Sequence, residues 1–285
     1  MIYLSEFTFP EREDETSFFF SIRRTCYDSF YPFGILSKHR FRRIDFEPVT
    51  ILNGGNGTGK STALNVIAEK IGLFRDTPGN RSNFYDDYLA LCTQKCAHPL
   101  PKESCILTSD DVFDYMLNIR SLNLGIDQKR ETLFKEYLEN KYAHFQLKSI
   151  DDYEKLRKVN QARSKTQSRY VRKELMDNVR EYSNGESAYR FFVEKMSENA
   201  LYLLDEPENS LSAERQIELA EFIENSARFF GCQYILSTHS PFFLAIRGAK
   251  IYDLNEDPVD VKRFNELPNV RTFYDFFQKH AHEFE

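Results

Sequence analysis

Apolar positions recur along this chain in three distinguishable patterns, and each predicts a kind of element. Residues 2–9 and about 16–23 are alternating or aromatic-rich and predict strands, separated by Pro10 and an acidic turn at 11–15. A third strand-like run, 41–52, ends in Val49, Thr50, Ile51 and Leu52. Leu64, Ile67, Ala68 and Ile71 then fall at i, i+3, i+4 and i+7, the stripe of a helix packed on a sheet. The stretch 75–102, rich in Asp, Asn, Pro, Gly and Cys, reads as irregular or partly helical. Residues 105–108 predict a short buried strand, and Ser109, Asp110 and Asp111 form an N-cap pattern for a helix beginning near Val112. From there to 180 the pattern is helical with Gly125 as its main breaker, so 112–182 is expected to be a helical insertion within one domain, 1–285. A helix is expected from Ala188 to about Asn199, another over 213–227 capped by Ser212, and a closing one over 271–285. The continuously apolar run 200–204 and the run 233–237 predict buried parallel strands, and 250–254 is a further strand. The fold class is α/β, with a mainly parallel core sheet and an antiparallel N-terminal β subdomain.

One segment organises the rest. Between the 41–52 strand and the helix lies Gly54-Gly55-Asn56-Gly57-Thr58-Gly59-Lys60-Ser61-Thr62. Glycines at these positions permit positive φ, so successive backbone N–H groups turn inward around phosphate oxygens. Lys60 then reaches the β and γ phosphates, the Ser61 hydroxyl ligates Mg²⁺, and the helix start faces the triphosphate. The expected ligands are therefore a nucleoside triphosphate and Mg²⁺.

A second constellation supplies carboxylates. The 200–204 strand delivers Asp205 and Glu206 at its C-terminal end, where α/β sheets hold their ligands. Successive strand residues point oppositely, so Asp205 is expected to hold the metal ion and Glu206 to orient or deprotonate water. His239 follows the next buried strand and is expected to meet the γ-phosphate or the water. Ser183, Gly185 and Glu186 form a serine- and glycine-bearing helix start, a second anion site remote in sequence from the first.

Taken in order and spacing, 54–61, 183–186, 203–207 and His239 resemble the Walker A, signature, Walker B and switch-histidine motifs of the ABC-type ATPase domain, a P-loop NTPase, over about residues 40–245. The runs 205–212 and 237–241 are similar to its soluble branch, which includes heads related to structural-maintenance-of-chromosomes and RecF proteins and the small ATPases of bacterial repair and defence loci. That resemblance makes the expected ligands ATP and Mg²⁺ and implies a homodimer closed head to tail around ATP, with Ser183 and Gly185 of one copy over the nucleotide held by Lys60 of the other. It also implies a DNA-processing or defence partner. The residues after His239 hold no nuclease-like cluster of acids, so any nuclease or effector is expected on a separate chain. The transporter subunits of the same family are the alternative. Three positions depart from the pattern: Ser109-Asp110-Asp111 where a lid glutamine is usual, Ser212 for the usual aspartate, and Tyr182 with Asn184 in the signature.

Composition refines this in four places. The net charge of −6 disfavours indiscriminate nucleic-acid binding, yet 155–173 holds Lys155, Arg157, Lys158, Arg163, Lys165, Arg169, Arg172 and Lys173 with no acid, a face that suits a DNA or RNA backbone or an acidic partner. The five cysteines suggest free thiols, since Cys92, Cys96, His98 and Cys105 fit no familiar zinc spacing. Among the aromatic residues, Tyr27, Phe30, Tyr31 and Phe33 are candidates to stack on adenine. The N-terminal residues lack a signal-peptide core and no run approaches the ~20 apolar residues of a membrane span, so a cytoplasmic protein without membrane insertion is expected.

Overall fold

A computed structural model describes residues 1–23, 26–144, 153–172, 175–179 and 184–284. In chain order its elements are β1 (Leu4–Thr8), α1 (Arg12–Ser21), β2 (Arg43–Asp45), β3 (Val49–Asn53), α2 (Lys60–Ile71), α3 (Tyr85–Leu91), β4 (Thr93–Cys96), β5 (Cys105–Thr108), α4 (Ser109–Tyr142), α5 (Tyr153–Ser164), α6 (Gln167–Arg172), α7 (Asn184–Lys195), β6 (Leu201–Asp205), α8 (Ala213–Phe229), β7 (Gln233–Thr238), α9 (Pro241–Leu244), β8 (Lys250–Asp253), β9 (Asp260–Lys262) and α10 (Pro268–Lys279). They divide into two units, Met1–Phe113 with Asn184–Glu285, and Asp114–Ser183.

The first unit is built on a six-stranded sheet of order β5-β6-β7-β3-β8-β9. Its first five strands are parallel and β9 is antiparallel at the edge. Every residue of β3, β5 and β7 is buried, which is why their apolar residues run consecutively, as in Ile51-Leu52 and Tyr234-Ile235-Leu236, rather than alternating with exposed polar ones. The parallel arrangement brings the C-terminal ends of β3, β6 and β7 to one edge of the sheet.

A separate antiparallel sheet has the order β2-β1-β4. Gln233, fully buried at the start of β7, joins the two: its Oε1 accepts from the Tyr3 and Leu4 N–H groups (2.7 and 2.9 Å), and its Nε2 donates to the Leu4 carbonyl (2.8 Å).

Four expectations change here. The 16–23 run is the body of α1, not a strand, because the acidic stretch before it is a helix start: the Glu11 N–H donates to the Asp14 carboxylate at 2.9 Å, and Glu13, Asp14 and Glu15 occupy the first turn. The aromatic side chains then pack from a helix, Phe18 lying flat on Phe33 with centroids 4.7 Å apart. The 41–52 run divides, β2 joining the antiparallel sheet and β3 the parallel one. Within 75–102 lies β4, exposed along its length and so without an alternation to read. The α4 helix begins at Ser109 rather than near Val112. Thr108 is its cap: the Thr108 hydroxyl accepts from the Asp111 N–H (3.3 Å) while the Asp111 carboxylate accepts from the Thr108 N–H (2.7 Å).

In the second unit, Leu133, Tyr137, Ala162, Tyr170 and Val171 form a small core. Gly125 lies inside α4 and does not break it. The helical pattern stops instead at 165–166, between α5 and α6, and residues 175–179 are not helical. Asn123 holds that last segment by accepting from the Val179 N–H and donating to its carbonyl, both at 2.9 Å. The basic run is therefore carried on two short helices. Arg157, Lys158, Arg163, Arg169 and Arg172 are exposed, Lys158 lies 3.7 Å from Glu136, and Lys173 falls outside the described residues.

Candidate active site

The buried β3 strand ends in the glycine-rich loop, and Gly59 is the N-cap of α2 with φ +94°. No side chain caps this helix, so its first-turn N–H groups are left for a ligand. Two glycines are sterically required. A Cβ on Gly54 would fall 2.5 Å from Thr58 Oγ1, and one on Gly59 would fall 2.9 Å from Leu36 Cδ2. Side chains brace the loop: Thr58 Oγ1 donates to the Gly55 carbonyl (2.9 Å), and the Gly55 N–H donates to Asn255 Oδ1 (2.9 Å). Asn56 and Gly57 are exposed at its crest, and Thr62 is buried behind it.

Lys60 is only 4% exposed; its Nζ donates to the carbonyls of Gly54 (2.8 Å) and Gly55 (3.0 Å) and stands 3.5 Å from Glu206 Oε1. The Ser61 hydroxyl donates to Asp205 Oδ1 at 2.9 Å, and the Ser237 hydroxyl donates to the same oxygen. Burial pushes the Asp205 carboxyl above its ordinary range; the Ser237 and Ser61 hydrogen bonds oppose this, the Glu206 charge adds to it, and Lys60 opposes it. A half-buried carboxylate beside two hydroxyl oxygens is a hard-donor set, and a divalent cation there would offset the desolvation that Asp205 suffers. The residues present fit Mg²⁺.

β6 ends abruptly. Glu206 sits in the left-handed region, φ 48° and ψ 54°, which costs a non-glycine residue on the order of 1–3 kcal/mol. The turn is held by the Glu206 N–H donating to the Ser237 carbonyl (3.0 Å), and its Oε2 accepts from Asn209 Nδ2 (3.0 Å).

His239, half exposed, leans on an acid that sequence reasoning missed. Glu208 Oε1 accepts from the Thr238 hydroxyl (2.7 Å) and the His239 N–H (2.9 Å) and lies 3.1 Å from His239 Nδ1. A third acid directly after Asp205, Glu206 and Pro207 was the available signal, because a proline turn that short folds one carboxylate back under the strand ends. Glu208→Ala would leave a buried hydroxyl and N–H unpaired, so its unfolding free energy in urea is expected to fall by about 1–3 kcal/mol, with Glu208→Gln recovering part of the loss.

The loop, Asp205, Glu206 and His239 thus gather at one sheet edge. Gly185 and Glu186 are placed in the first turn of α7, so this helix starts at Asn184 and not at Ala188. A Cβ on Gly185 would lie 3.7 Å from the Ser212 nitrogen and 3.9 Å from the Ser210 carbonyl oxygen, beside the segment that follows Glu208. Ser183 and Tyr182 fall outside the described residues. Of the departures from the family pattern, Ser212 caps α8 by accepting from the Arg215 N–H (3.4 Å). Asp111 is engaged by Thr77, whose N–H and hydroxyl donate to it at 3.0 and 2.6 Å, and by Thr108. Burial pushes the Cys92 and Cys105 thiols up to about 12.

A family model described as ABC transporter matches residues 43–209, and one described as AAA ATPase domain matches residues 183–244. No curated protein matches the chain. Similar solved structures include an Smc head domain with an extended coiled coil bound to the C-terminal domain of ScpA, derived from Pyrococcus furiosus (12% identity, 98% of this chain and 100% of that one, TM-score 0.43). They also include an Smc head bound to the C-winged helix domain of ScpA (14%, 79% and 93%, TM-score 0.38) and a bacterial ABC transporter cassette in dimeric form (13%, 78% and 88%, TM-score 0.37). No helix among the described residues is long and apolar enough to cross a membrane. Because the first match spans more than half of the chain and contains both the phosphate loop and the Asp205-Glu206 pair, this protein belongs to the ABC family and is an ATP-hydrolysing enzyme.

Proposed function

We propose that the protein is an ATP-gated dimeric switch, and that the reading is carried by one observation: the Lys60 and Ser61 side chains of the phosphate loop are paired with the two acids of β6. In this reading 54–62 cradle the triphosphate and Lys60 meets its β and γ phosphates. Ser61 and Asp205 would hold Mg²⁺, which would supply neutralisation of charge on the phosphate oxygens. Glu206 accepts a proton from water as the water oxygen attacks the γ-phosphorus; the bond to the β–γ bridging oxygen breaks, and ADP leaves with that oxygen. His239, steadied by Glu208, meets the γ-phosphate and registers its loss.

The Ser183, Gly185 and Glu186 helix start covers the nucleotide of a second copy, so two-fold symmetry yields two identical sites and the phosphates hold the dimer together. In size-exclusion chromatography with light scattering, ATP and Mg²⁺ are expected to convert monomer to dimer, and Ser183→Arg to stay monomeric with ATP affinity intact. Normal dimers of Ser183→Arg would refute the shared site.

The work gated by this cycle is proposed to be DNA processing or defence, performed with a separate nuclease or effector. The exposed basic residues of α5 and α6 suit a phosphate backbone, and such binding would weaken steeply as salt rises.

A further inference from the structure

His239 is held from two sides. Its N–H and its ring lean on Glu208, and its carbonyl accepts from Asn269 Nδ2 at 3.3 Å. Asn269 lies in the first turn of α10, and the same amide nitrogen donates to Asn53 Oδ1 at 3.1 Å. Asn53 is fully buried and is the last residue of β3, immediately before the phosphate loop. The pairing of β3 with β7 stops at Asn53 and Thr238, so His239 lies one residue past the ladder. One side chain of α10 takes over there and ties the root of the loop to the backbone of the histidine.

Only a donor fits at position 269. Asp253 Oδ1 accepts from Asn53 Nδ2 (3.2 Å) and from the N–H and Nδ2 of Asn255 (3.2 and 2.8 Å). An oxygen already facing three donors has no proton to give, so Asn53 keeps its nitrogen toward Asp253 and its oxygen toward α10. The His239 carbonyl is an acceptor as well. Asn255 carries the series on to the loop, its Oδ1 accepting from the Gly55 N–H at 2.9 Å. Hydrogen bonds thus run without a gap from His239 through Asn269, Asn53, Asp253 and Asn255 to Gly55. Moving the histidine away from the loop would strip the buried Asn53 of a partner, a penalty that holds the two at a set separation.

We infer that Asn269 is a positioning residue for ATP hydrolysis: through Asn53 and the His239 carbonyl it holds the histidine at the distance from the phosphate loop at which its ring meets the γ-phosphate. The role rests on the proposed contact of His239 with that phosphate. Groups displaced by about 1 Å from a reacting centre can lose about 100-fold in rate, so the tie is felt in turnover. Nucleotide affinity does not depend on it, because Lys60 and Asn255 brace the loop by themselves.

Asn269→Asp has the same shape and its charge suits the first turn of a helix, yet it has no N–H to donate. Its turnover at saturating ATP is expected to fall about tenfold, with the ATP dissociation constant measured by calorimetry unchanged. Asn269→Ala, which adds no charge, is expected to do the same. His239→Ala lowers turnover by itself, and adding Asn269→Asp to it is expected to cost nothing more, because the tie then has no imidazole to place. Unaltered turnover in both Asn269 variants, a loss confined to ATP affinity, or a loss in the double variant as large again as in the single one overturns the positioning role while leaving His239 in its own. Should His239→Ala alone hydrolyse ATP like the unaltered protein, the histidine reading fails first and the positioning role goes with it.

Discussion

Lys60→Ala is expected to weaken ATP binding by at least about 100-fold, measured by calorimetry at fixed Mg²⁺. Charge-assisted hydrogen bonds contribute roughly 1.5–3 kcal/mol each, and the lysine serves two phosphates, so losing both is worth two or more powers of ten. The change also strips the Gly54 and Gly55 carbonyls of their shared donor and Glu206 of its cation. A far-ultraviolet circular dichroism spectrum like that of the unaltered protein would locate the effect in the site. Affinity within a few-fold of the original would mean that the loop does not grip phosphate through this side chain.

Glu206→Gln is expected to cut steady-state turnover by about 10²–10⁴, the usual contribution of a positioned general base, and to leave nucleotide affinity nearly intact. Glutamine has the same length, can still bond Asn209, and occupies the same left-handed turn, so the loss isolates proton acceptance from shape. Because ATP would then bind without being consumed, the dimer should accumulate with ATP-Mg²⁺ and persist on a sizing column. Turnover equal to that of the original protein would remove Glu206 from the chemistry and return attention to Asp205 or Glu208.

What could be read in advance was what local chemistry dictates. The buried strands β3, β6 and β7 announce themselves by consecutive apolar residues at 51–52, 201–204 and 234–236, and the glycine spacing of 54–59 has few uses other than wrapping the backbone around an anion. The unreadable parts depend on partners distant in the chain or on exposure. The 16–23 run has the aromatic content of a strand, and only the acidic start before it turns it into a helix packed on Phe33 and Phe84. β4 carries no apolar alternation because both its faces are exposed. Nothing local distinguishes Glu208 from a surface acid, because the groups that donate to it, the Thr238 hydroxyl and the His239 N–H, lie 30 and 31 residues away. The charged cavity beside α1 draws on 11, 40–42 and 257, three segments whose proximity no short motif announces.

The Gln233 side chain also has a meaning for biosynthesis. It serves backbone groups of Tyr3 and Leu4 that lie 230 and 229 residues earlier. At roughly 5–20 residues per second of translation, the first strand waits about 10–50 s before the amide that receives it has been made. Over that interval β3 lacks both neighbours, β7 and β8, so the glycine loop emerges early from the ribosome with no sheet to hold it. A nascent chain halted before residue 233 would expose these unpaired edges, which stay open until β7 and β8 have been made.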